Sequence, residues 1–214
     1  MPRSPLRRPA PELDLQPVFR NEDQLPAEVS SQTMFANDQP LEVEIGSGKG
    51  LFMATAAAAN PGHNYLGIEI VKKYASHAAA RLARAGTANA IMVAGNAESI
   101  IKDRIEPESL TAIHIYFPDP WWKKRHRKRR VVNEASIVNY SRALRPSGRL
   151  HFWTDVLDYF ELTIELIAAM APELGVPIPE EEVEATHDLD YRTHFERRSR
   201  QNRIPVYRVR YEKR

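Results

Sequence analysis

Two glutamates and a glycine-rich segment lie close together in the first half of the chain. The apolar run 41–45 contains Glu44 and leads directly into Gly46-Ser47-Gly48-Lys49-Gly50. Glycines at a turn between a strand and a helix let the backbone approach a ligand closely. Glu69 lies 23 residues after Gly46, in a second apolar run. A carboxylate at that place can accept hydrogen bonds from both hydroxyls of a ribose, so the pattern indicates an adenosine-containing cofactor.

The spacing of these residues favours S-adenosylmethionine over a dinucleotide. The dinucleotide fingerprint is G-x-G-x-x-G, at the start of a helix that faces a pyrophosphate. This chain has G-x-G-x-G, and Glu44, two residues before the first glycine, would repel a pyrophosphate. S-adenosylmethionine has no phosphate, and its sulfonium and amino groups suit a carboxylate. A glycine turn alone is weak evidence, so a nicotinamide-dependent oxidoreductase stays an alternative at this point.

A third acidic residue, Asp119, lies in a stiff aromatic loop that leads into a basic run. Pro118 and Pro120 bracket this aspartate and restrict where its carboxylate points. The next residues, Trp121 and Trp122, offer flat surfaces on which nucleobases stack. Core packing is the alternative interpretation of either tryptophan alone. The whole string is much better explained by contact with a nucleic acid.

The charge distribution also indicates a polyanionic partner. The formal net charge is only +2, from 30 Lys and Arg against 28 Asp and Glu. Residues 123–130 and residues 192–214 each carry +7, and the other 183 residues carry −12. An acidic body with two basic segments is suited to holding a polyanion at one place. A localisation signal or a solvated charged face is the alternative that charge alone leaves open.

Strands and helices alternate along most of the chain. Apolar runs predict strands at 41–45, 64–70, 90–94, 110–117 and 150–154, followed by helices at 51–60, 72–85, 97–105, 133–144 and 159–170. Two late strands are predicted at 183–186 and 205–211, with a short helix near 195–200 between them. The alternation predicts an α/β fold with a mainly parallel sheet and a late antiparallel strand pair at one edge.

Length and composition exclude several classes of protein. The chain has 214 residues, which fits one domain, predicted here over 41–214. Residues 1–40 contain seven of the 16 prolines and predict an irregular N-terminal arm. The lack of cysteine excludes a disulfide framework and a zinc–thiolate site, and the seven histidines have no metal-ligand spacing. Because neither a membrane span nor a secretory signal is present, the cytoplasm is the expected location.

The motifs together resemble those of the tRNA (guanine-N7-)-methyltransferase family. The string PDPWWKKRHRKRR, with EIGSG upstream, carries the resemblance, which runs from about residue 41 to the C-terminus. Thr154-Asp155 and Thr193-His194-Phe195-Glu196 are similar to the family's T-D and T-x-F-E elements. The resemblance implies a Rossmann-like class I fold and methyl transfer from S-adenosylmethionine to N7 of a guanosine in the tRNA variable loop, position 46. No metal site is expected, because the histidines have no ligand spacing.

The resemblance also implies roles for particular residues, of which Asp119 would be catalytic or would position the substrate. The cofactor site is expected at Glu44, Gly46, Gly48, Glu69, Asn96 and Asp119. Substrate contacts are expected at Lys123, Asp155, Thr193, His194, Phe195 and Glu196. Many members of the family have an aspartate at the position of Asn96, whose amide can still accept a hydrogen bond from adenine. By itself, Asn96 is better explained as a helix cap. Another S-adenosylmethionine-dependent RNA methyltransferase and a non-catalytic RNA-binding domain are the alternatives.

Overall fold

The computed structural model describes residues 12–182 and 191–214. In this part of the chain the strands are β1 (Phe19–Asn21), β2 (Leu41–Ile45), β3 (Asn64–Glu69), β4 (Ala90–Ala94), β5 (Leu110–Tyr116), β6 (Leu144–Thr154), β7 (Ile178–Pro179) and β8 (Tyr207–Glu212). The α-helices are α1 (Ser31–Phe35), α2 (Leu51–Ala59), α3 (Lys72–Arg84), α4 (Ala97–Arg104), α5 (Glu134–Ala143), α6 (Leu157–Met170) and α7 (His194–Gln201). Three 3-10 helices span Glu22–Gln24, Lys124–Arg129 and Pro172–Leu174.

The described strands form one sheet in the order β1-β4-β3-β2-β5-β6-β8-β7. The first six strands of that order are parallel, and β8 runs antiparallel to both β6 and β7. The prediction of a mainly parallel sheet with a late antiparallel pair at one edge is therefore confirmed. From β2 the chain builds outward to β3 and β4, and then returns to place β5 on the other side of β2. In such a sheet, ligands bind where the strand order reverses, here between β2 and β5.

Helices cover both faces of the sheet. Alternate side chains of a strand point to opposite faces, and Tyr65 and Leu66 of β3 belong to two different buried clusters. One cluster contains apolar residues of α2 and α3, and the other contains those of α4, α5 and α6. The glycine turn packs tightly against α3, since a Cβ on Gly50 would lie 2.6 Å from the Cβ of Ala78. No helix in the described ranges is both long and apolar enough to cross a membrane.

The structure differs from the sequence prediction in two places, and a third prediction falls outside the described residues. In the segment expected to be irregular, β1 pairs in parallel with β4 and α1 forms a short capped helix. Strand β6 begins at Leu144 rather than at residue 150, because Leu144 pairs with Leu110 and the pairing resumes, after an irregularity, at Arg149. The strand predicted at 183–186 lies outside the described residues, and the edge partner of β8 is Ile178–Pro179.

A layer of polar side chains lies between the sheet and the C-terminal segment. The rings of His114 and His151 stack with 4.8 Å between their centroids. Burial lowers the pKa of His114 to about 4. Burial alone would raise the pKa of Glu42, but hydrogen bonds from His114 and His63 lower it to about 2. These contacts fix the strands that lead to the site without reaching the edge where ligands bind.

Candidate functional site

Four acidic residues singled out from the sequence follow four neighbouring strands. Glu44 is the penultimate residue of β2 and Glu69 ends β3, while Asp119 and Asp155 follow β5 and β6. These strands are adjacent in the order β3-β2-β5-β6. Because the carboxyl ends of parallel strands meet at the same edge of a sheet, the fold brings the four carboxylates to one crevice.

The glycine turn after β2 is held open by Glu69. Gly46 and Gly48 have φ values of 76° and 51°, a left-handed conformation that favours glycine. The backbone N–H of Gly48 donates to Oε2 of Glu69 at 2.9 Å, and that of Val71 donates to Oε1 at 2.8 Å. A Cβ added to Gly46 would meet no heavy atom within 4 Å. The turn therefore presents bare backbone to an open space, as a bound cofactor requires.

Glu44 is a buried carboxyl group with an unsatisfied oxygen. Its residue is 4% exposed, and its Oε2 atom has no hydrogen-bond partner among the described residues. Burial raises the pKa of Glu44 to about 8, and the nearby charge of Glu69 acts in the same direction. An unpaired buried carboxyl group is costly, so the site is suited to a cationic partner. The amino group of S-adenosylmethionine has this chemistry, and the residues present fit that cofactor.

The raised pKa of Glu44 predicts a particular pH dependence of stability in the cofactor-free protein. Its pKa of about 8 exceeds the ordinary value of 4.5, so the folded state binds a proton that the unfolded state releases between those pH values. The free energy of unfolding should therefore fall as the pH rises from 4.5 to 8. Urea denaturation of wild type and Glu44→Gln across this range measures the effect. The variant should lose that part of the slope, and identical slopes in both proteins would show that Glu44 is ionised throughout.

The turn after β4 is held by a carboxylate that the sequence did not reveal. Asn96 caps α4, since its Oδ1 atom accepts from the backbone N–H of Glu98 at 3.0 Å. The backbone N–H of Asn96 donates to Oε2 of Glu22 at 2.8 Å, and the hydroxyl of Ser99 donates to the other oxygen at 2.8 Å. A Cβ on Gly95 would lie 2.8 Å from Glu22. The N-terminal segment thus fixes the turn on which Asn96 lies.

The loop after β5 presents Asp119 at the surface. Phe117 and Trp121, on either side of it, have φ values of 52° and 41°, which are uncommon for residues with a side chain. The N–H of Phe117 donates to the carbonyl of Trp153 at 2.8 Å, which fixes the start of the loop to β6. Asp119 itself is exposed. Backbone strain of this kind clusters at functional sites, and here it occurs on both sides of Asp119.

The basic run folds back onto the same loop. The guanidinium of Arg129 lies 5.2 Å from the ring centroid of Trp121, and that of Arg130 lies 5.4 Å from the ring of Trp122. Arg130 also donates from Nε to the carbonyl of Pro120 at 2.7 Å. Trp121 is half-buried, whereas Trp122 is 47% exposed, so its face is accessible beside the cations. The aspartate, the tryptophans and the run therefore form one unit, with Lys123 exposed between them.

The T-H-F-E segment begins α7 and reaches the end of β5. The hydroxyl of Thr193 accepts from the N–H of Glu196 at 3.0 Å, and Glu196 accepts from the N–H of Arg192 at 2.7 Å. Both side chains therefore cap the helix. The exposed ring of Phe195 stacks on Phe117, with 6.2 Å between centroids. The structure thus brings the segment to the aspartate loop through Phe195.

Asp155 and His194 are each tied to a neighbouring helix. The hydroxyl of Ser199 in α7 donates to Oδ2 of Asp155 at 3.0 Å. His194 contacts Arg81 of α3. Among the described residues, no group of three or more His, Asp or Glu side chains is arranged to hold a metal ion.

The strand order, with a glycine turn at its reversal point and a buried carboxyl group suited to a cationic ligand beside it, is that of a class I methyltransferase that uses S-adenosylmethionine. Solved structures share this fold. The chain aligns with 16S rRNA methyltransferase KamB at a TM-score of 0.62 and 15% identity, covering 87% of this chain and 95% of that one. It also aligns with a mutant 16S rRNA (adenine(1408)-N(1))-methyltransferase from Catenulisporales acidiphilia, solved with its cosubstrate. The TM-score is 0.56 at 16% identity, covering 83% of this chain and 87% of that one.

Sequence comparison identifies the family within this class. A family model described as "Putative methyltransferase" matches residues 38–209. A tRNA (guanine-N(7)-)-methyltransferase of Rhodopirellula baltica is 63% identical over all of this chain and 81% of its own length. A protein of the same name from Listeria monocytogenes is 34% identical, over 82% of this chain and 81% of its length. The chain belongs to the tRNA (guanine-N7-)-methyltransferase family, and S-adenosylmethionine is its methyl donor.

Proposed function

We propose that this protein methylates N7 of guanosine 46 in the variable loop of tRNA, and that it does so in the cytoplasm. The name shared by its relatives supports the substrate. The observation that carries the proposal is the single unit formed by Asp119, the tryptophans and the basic run. That unit follows β5, next to the strand that carries Glu44. A nucleic acid held by the cations would have a base at the cofactor crevice.

The reaction requires orientation more than proton transfer. Guanine N7 has an in-plane lone pair and no proton, so no general base is needed. The cofactor supplies a methyl group on a sulfonium. As the bond from N7 to the methyl carbon forms, the carbon–sulfur bond breaks and its electron pair stays on sulfur. Holding the two reactants in line is the main task of the protein, and the fixed turns around the crevice provide it.

Two of the four acidic residues would bind the cofactor, and the other two would bind the guanine base. Glu44 would bind the amino group of the cofactor, and Glu69 the ribose, while Gly46 and Gly48 allow close approach of the backbone. Asn96 would lie at the adenine. Its amide oxygen already caps α4 and its backbone N–H and carbonyl groups are already hydrogen-bonded, so its remaining contact is through Nδ2.

Asp119 and Asp155 lie on the base side of the crevice. They are the candidates to accept hydrogen bonds from N1–H and the amino group of guanine, which would select guanine over adenine. The methylated base is cationic, so these carboxylates would also stabilise the charge that develops in the transition state.

The remaining predicted substrate residues would hold the RNA around the target base. Lys123 is exposed next to the tryptophans and can contact a phosphate, while the open ring of Phe195 can stack on a nucleobase. Thr193 and Glu196 would act by fixing the start of α7, since their side chains cap it. His194 lies beside Phe195, and its neutral ring accepts from Arg81. The proposed role of T-H-F-E is therefore to place Phe195 and the backbone of α7.

Methylation of defined transcripts tests the proposal. The protein is incubated with labelled S-adenosylmethionine and an unmodified tRNA transcript, and the label is mapped by nuclease digestion. We expect N7-methylguanosine at position 46 and no label in a matched transcript with adenosine there. Label on another base would indicate a different RNA methyltransferase. Cofactor binding without any transfer would favour a non-catalytic RNA-binding domain.

A further inference from the structure

We propose that α3 and α7 together form a binding site for a phosphate of the tRNA backbone, next to the crevice where methyl transfer takes place. The proposal rests on the proposed function, because it assigns a further contact to the same substrate. Its central residues are Arg81 and Arg84 of α3, which lie outside both basic segments identified from the charge distribution.

Helix α3 is basic, although it belongs to the part of the chain whose net charge is negative. Residues 70–97 contain four Lys and Arg and no Asp or Glu, although the 183 residues to which they belong carry −12. His77, Arg81 and Arg84 are spaced four and three residues apart, so they lie on one face of α3. The chain thus has a third basic element, and both of its arginines lie on one face of the helix.

That face of α3 forms a surface pocket. The pocket has a volume of about 440 Å³ and is lined by His77, Arg81, Arg84 and Ala85. None of these lining residues is acidic. Guanidinium groups bind phosphate oxygens through two parallel hydrogen bonds, so two arginines at one pocket are suited to a phosphate group.

Helix α7 begins beside the pocket, where His194 contacts Arg81 and Arg197 lies close enough to act on its charge. Nη2 of Arg81 lies 3.2 Å from Nε2 of His194, an arrangement that requires a neutral imidazole accepting from the arginine. Burial lowers the pKa of His194 to about 4, and the charges of four neighbouring basic side chains act in the same direction. Those groups are Arg81, Arg197, Lys49 and His77. Burial also lowers the pKa of Arg81, as do Arg84 and Arg197. Arginines of the two helices therefore lie close enough to repel one another, and a bound phosphate would reduce that repulsion.

The pocket lies close to the glycine turn and to the start of α7. Lys49 belongs to the glycine turn, and His194 precedes Phe195, which stacks on Phe117 at the end of β5. From His77 to Arg84 the face extends about 10 Å along α3. An RNA strand with its target base in the crevice would therefore have an adjoining phosphate within reach of α3. This proximity favours a phosphate of the substrate RNA over a free anion.

Arg84→Gln is the sharpest test, because Arg84 is exposed and its loss leaves the His194 contact intact. The affinity for an unmodified tRNA transcript is measured at several salt concentrations, with S-adenosylhomocysteine present to prevent turnover. We expect the Kd to rise roughly tenfold at low salt. The plot of log affinity against log salt concentration has a negative slope, and the magnitude of that slope should decrease by about 1. Arg84→Lys, which keeps the charge, should restore most of the slope.

A matched control is Arg145→Gln, an exposed arginine at the start of β6, on the edge of the sheet opposite the site. It should leave the Kd and the slope unchanged. If Arg84→Gln also leaves them unchanged while the wild type methylates guanosine 46, the phosphate site is wrong and the proposed function stands. If Arg84→Gln weakens binding of S-adenosylmethionine instead, the pocket serves the cofactor and the proposal is overturned. If the wild type neither binds nor methylates tRNA, both proposals fail.

Discussion

Asp119→Ala is expected to lower kcat for tRNA methylation by about 100-fold or more, the scale observed when one electrostatic contact to a transition state is removed. The carboxylate is presented by a strained loop at the end of β5 and is exposed rather than buried in the core. Its charge would stabilise the cationic base as the methyl group is transferred. Because the buried carboxyl group of Glu44 is left in place, the Kd of S-adenosylmethionine should change by no more than about threefold. Single-turnover kinetics with saturating cofactor measures the first effect, and equilibrium titration measures the second.

Two further variants make the role of Asp119 specific. Asp119→Asn keeps a hydrogen-bond acceptor but removes the charge, so a kcat close to that of the alanine variant would assign the effect to charge. Asp158→Ala removes an exposed carboxylate in the first turn of α6 and should leave kcat unchanged. A loss of cofactor binding in Asp119→Ala, with normal kcat at saturating cofactor, would show that Asp119 serves the cofactor instead.

The central part of the fold was predictable because its signals are local. Apolar runs ended by glycine or proline gave β2 and β4 with the bounds found in the structure, and α2 to α6 within two residues at each end. The positions of Glu44, Glu69 and Asp119 followed from the rule that strand ends meet at one edge. Neither inference required knowledge of which strands pair.

Long-range contacts account for what the sequence did not reveal. Strand β1 has three residues and exists because it pairs with β4, about 70 positions later. Glu22 also depends on a long-range contact. It lies in a segment that looks irregular in the sequence, yet its carboxylate accepts from the backbone N–H of Asn96. A short polar segment has no periodicity from which such a partner could be inferred.

Three of the residues predicted to contact ligands use their side chains to cap a helix. Thr193 and Glu196 are three residues apart, a T-x-x-E spacing typical of the first turn of a helix. The structure uses both side chains in this way, and Asn96 also caps its helix. The capping pattern was therefore readable from the sequence, and it separates the residues that position the backbone from Phe195, whose ring is exposed.

Glu69→Gln is expected to raise the Kd of S-adenosylmethionine by about 10- to 100-fold, the equivalent of one or two hydrogen bonds to a charged group. The two carboxylate oxygens accept from the backbone of Gly48 and Val71, at 2.9 Å and 2.8 Å. A glutamine can accept at only one of these places, since its NH₂ group would face the other N–H. The glycine turn should then lose its fixed left-handed conformation, and the acceptor proposed for the ribose hydroxyls would also be weakened.

The effect of Glu69→Gln should be confined to cofactor affinity. Titration of the variant with S-adenosylmethionine measures the Kd, and kcat at saturating cofactor should stay near that of the wild type because Asp119 is unchanged. Glu161→Gln, at an exposed position of α6, is the matched control and should bind the cofactor normally. An unchanged Kd in Glu69→Gln, accompanied by a lower melting temperature, would mean that Glu69 only stabilises the turn. Cofactor affinity would then have to come from Glu44 and the bare backbone of Gly46 and Gly48.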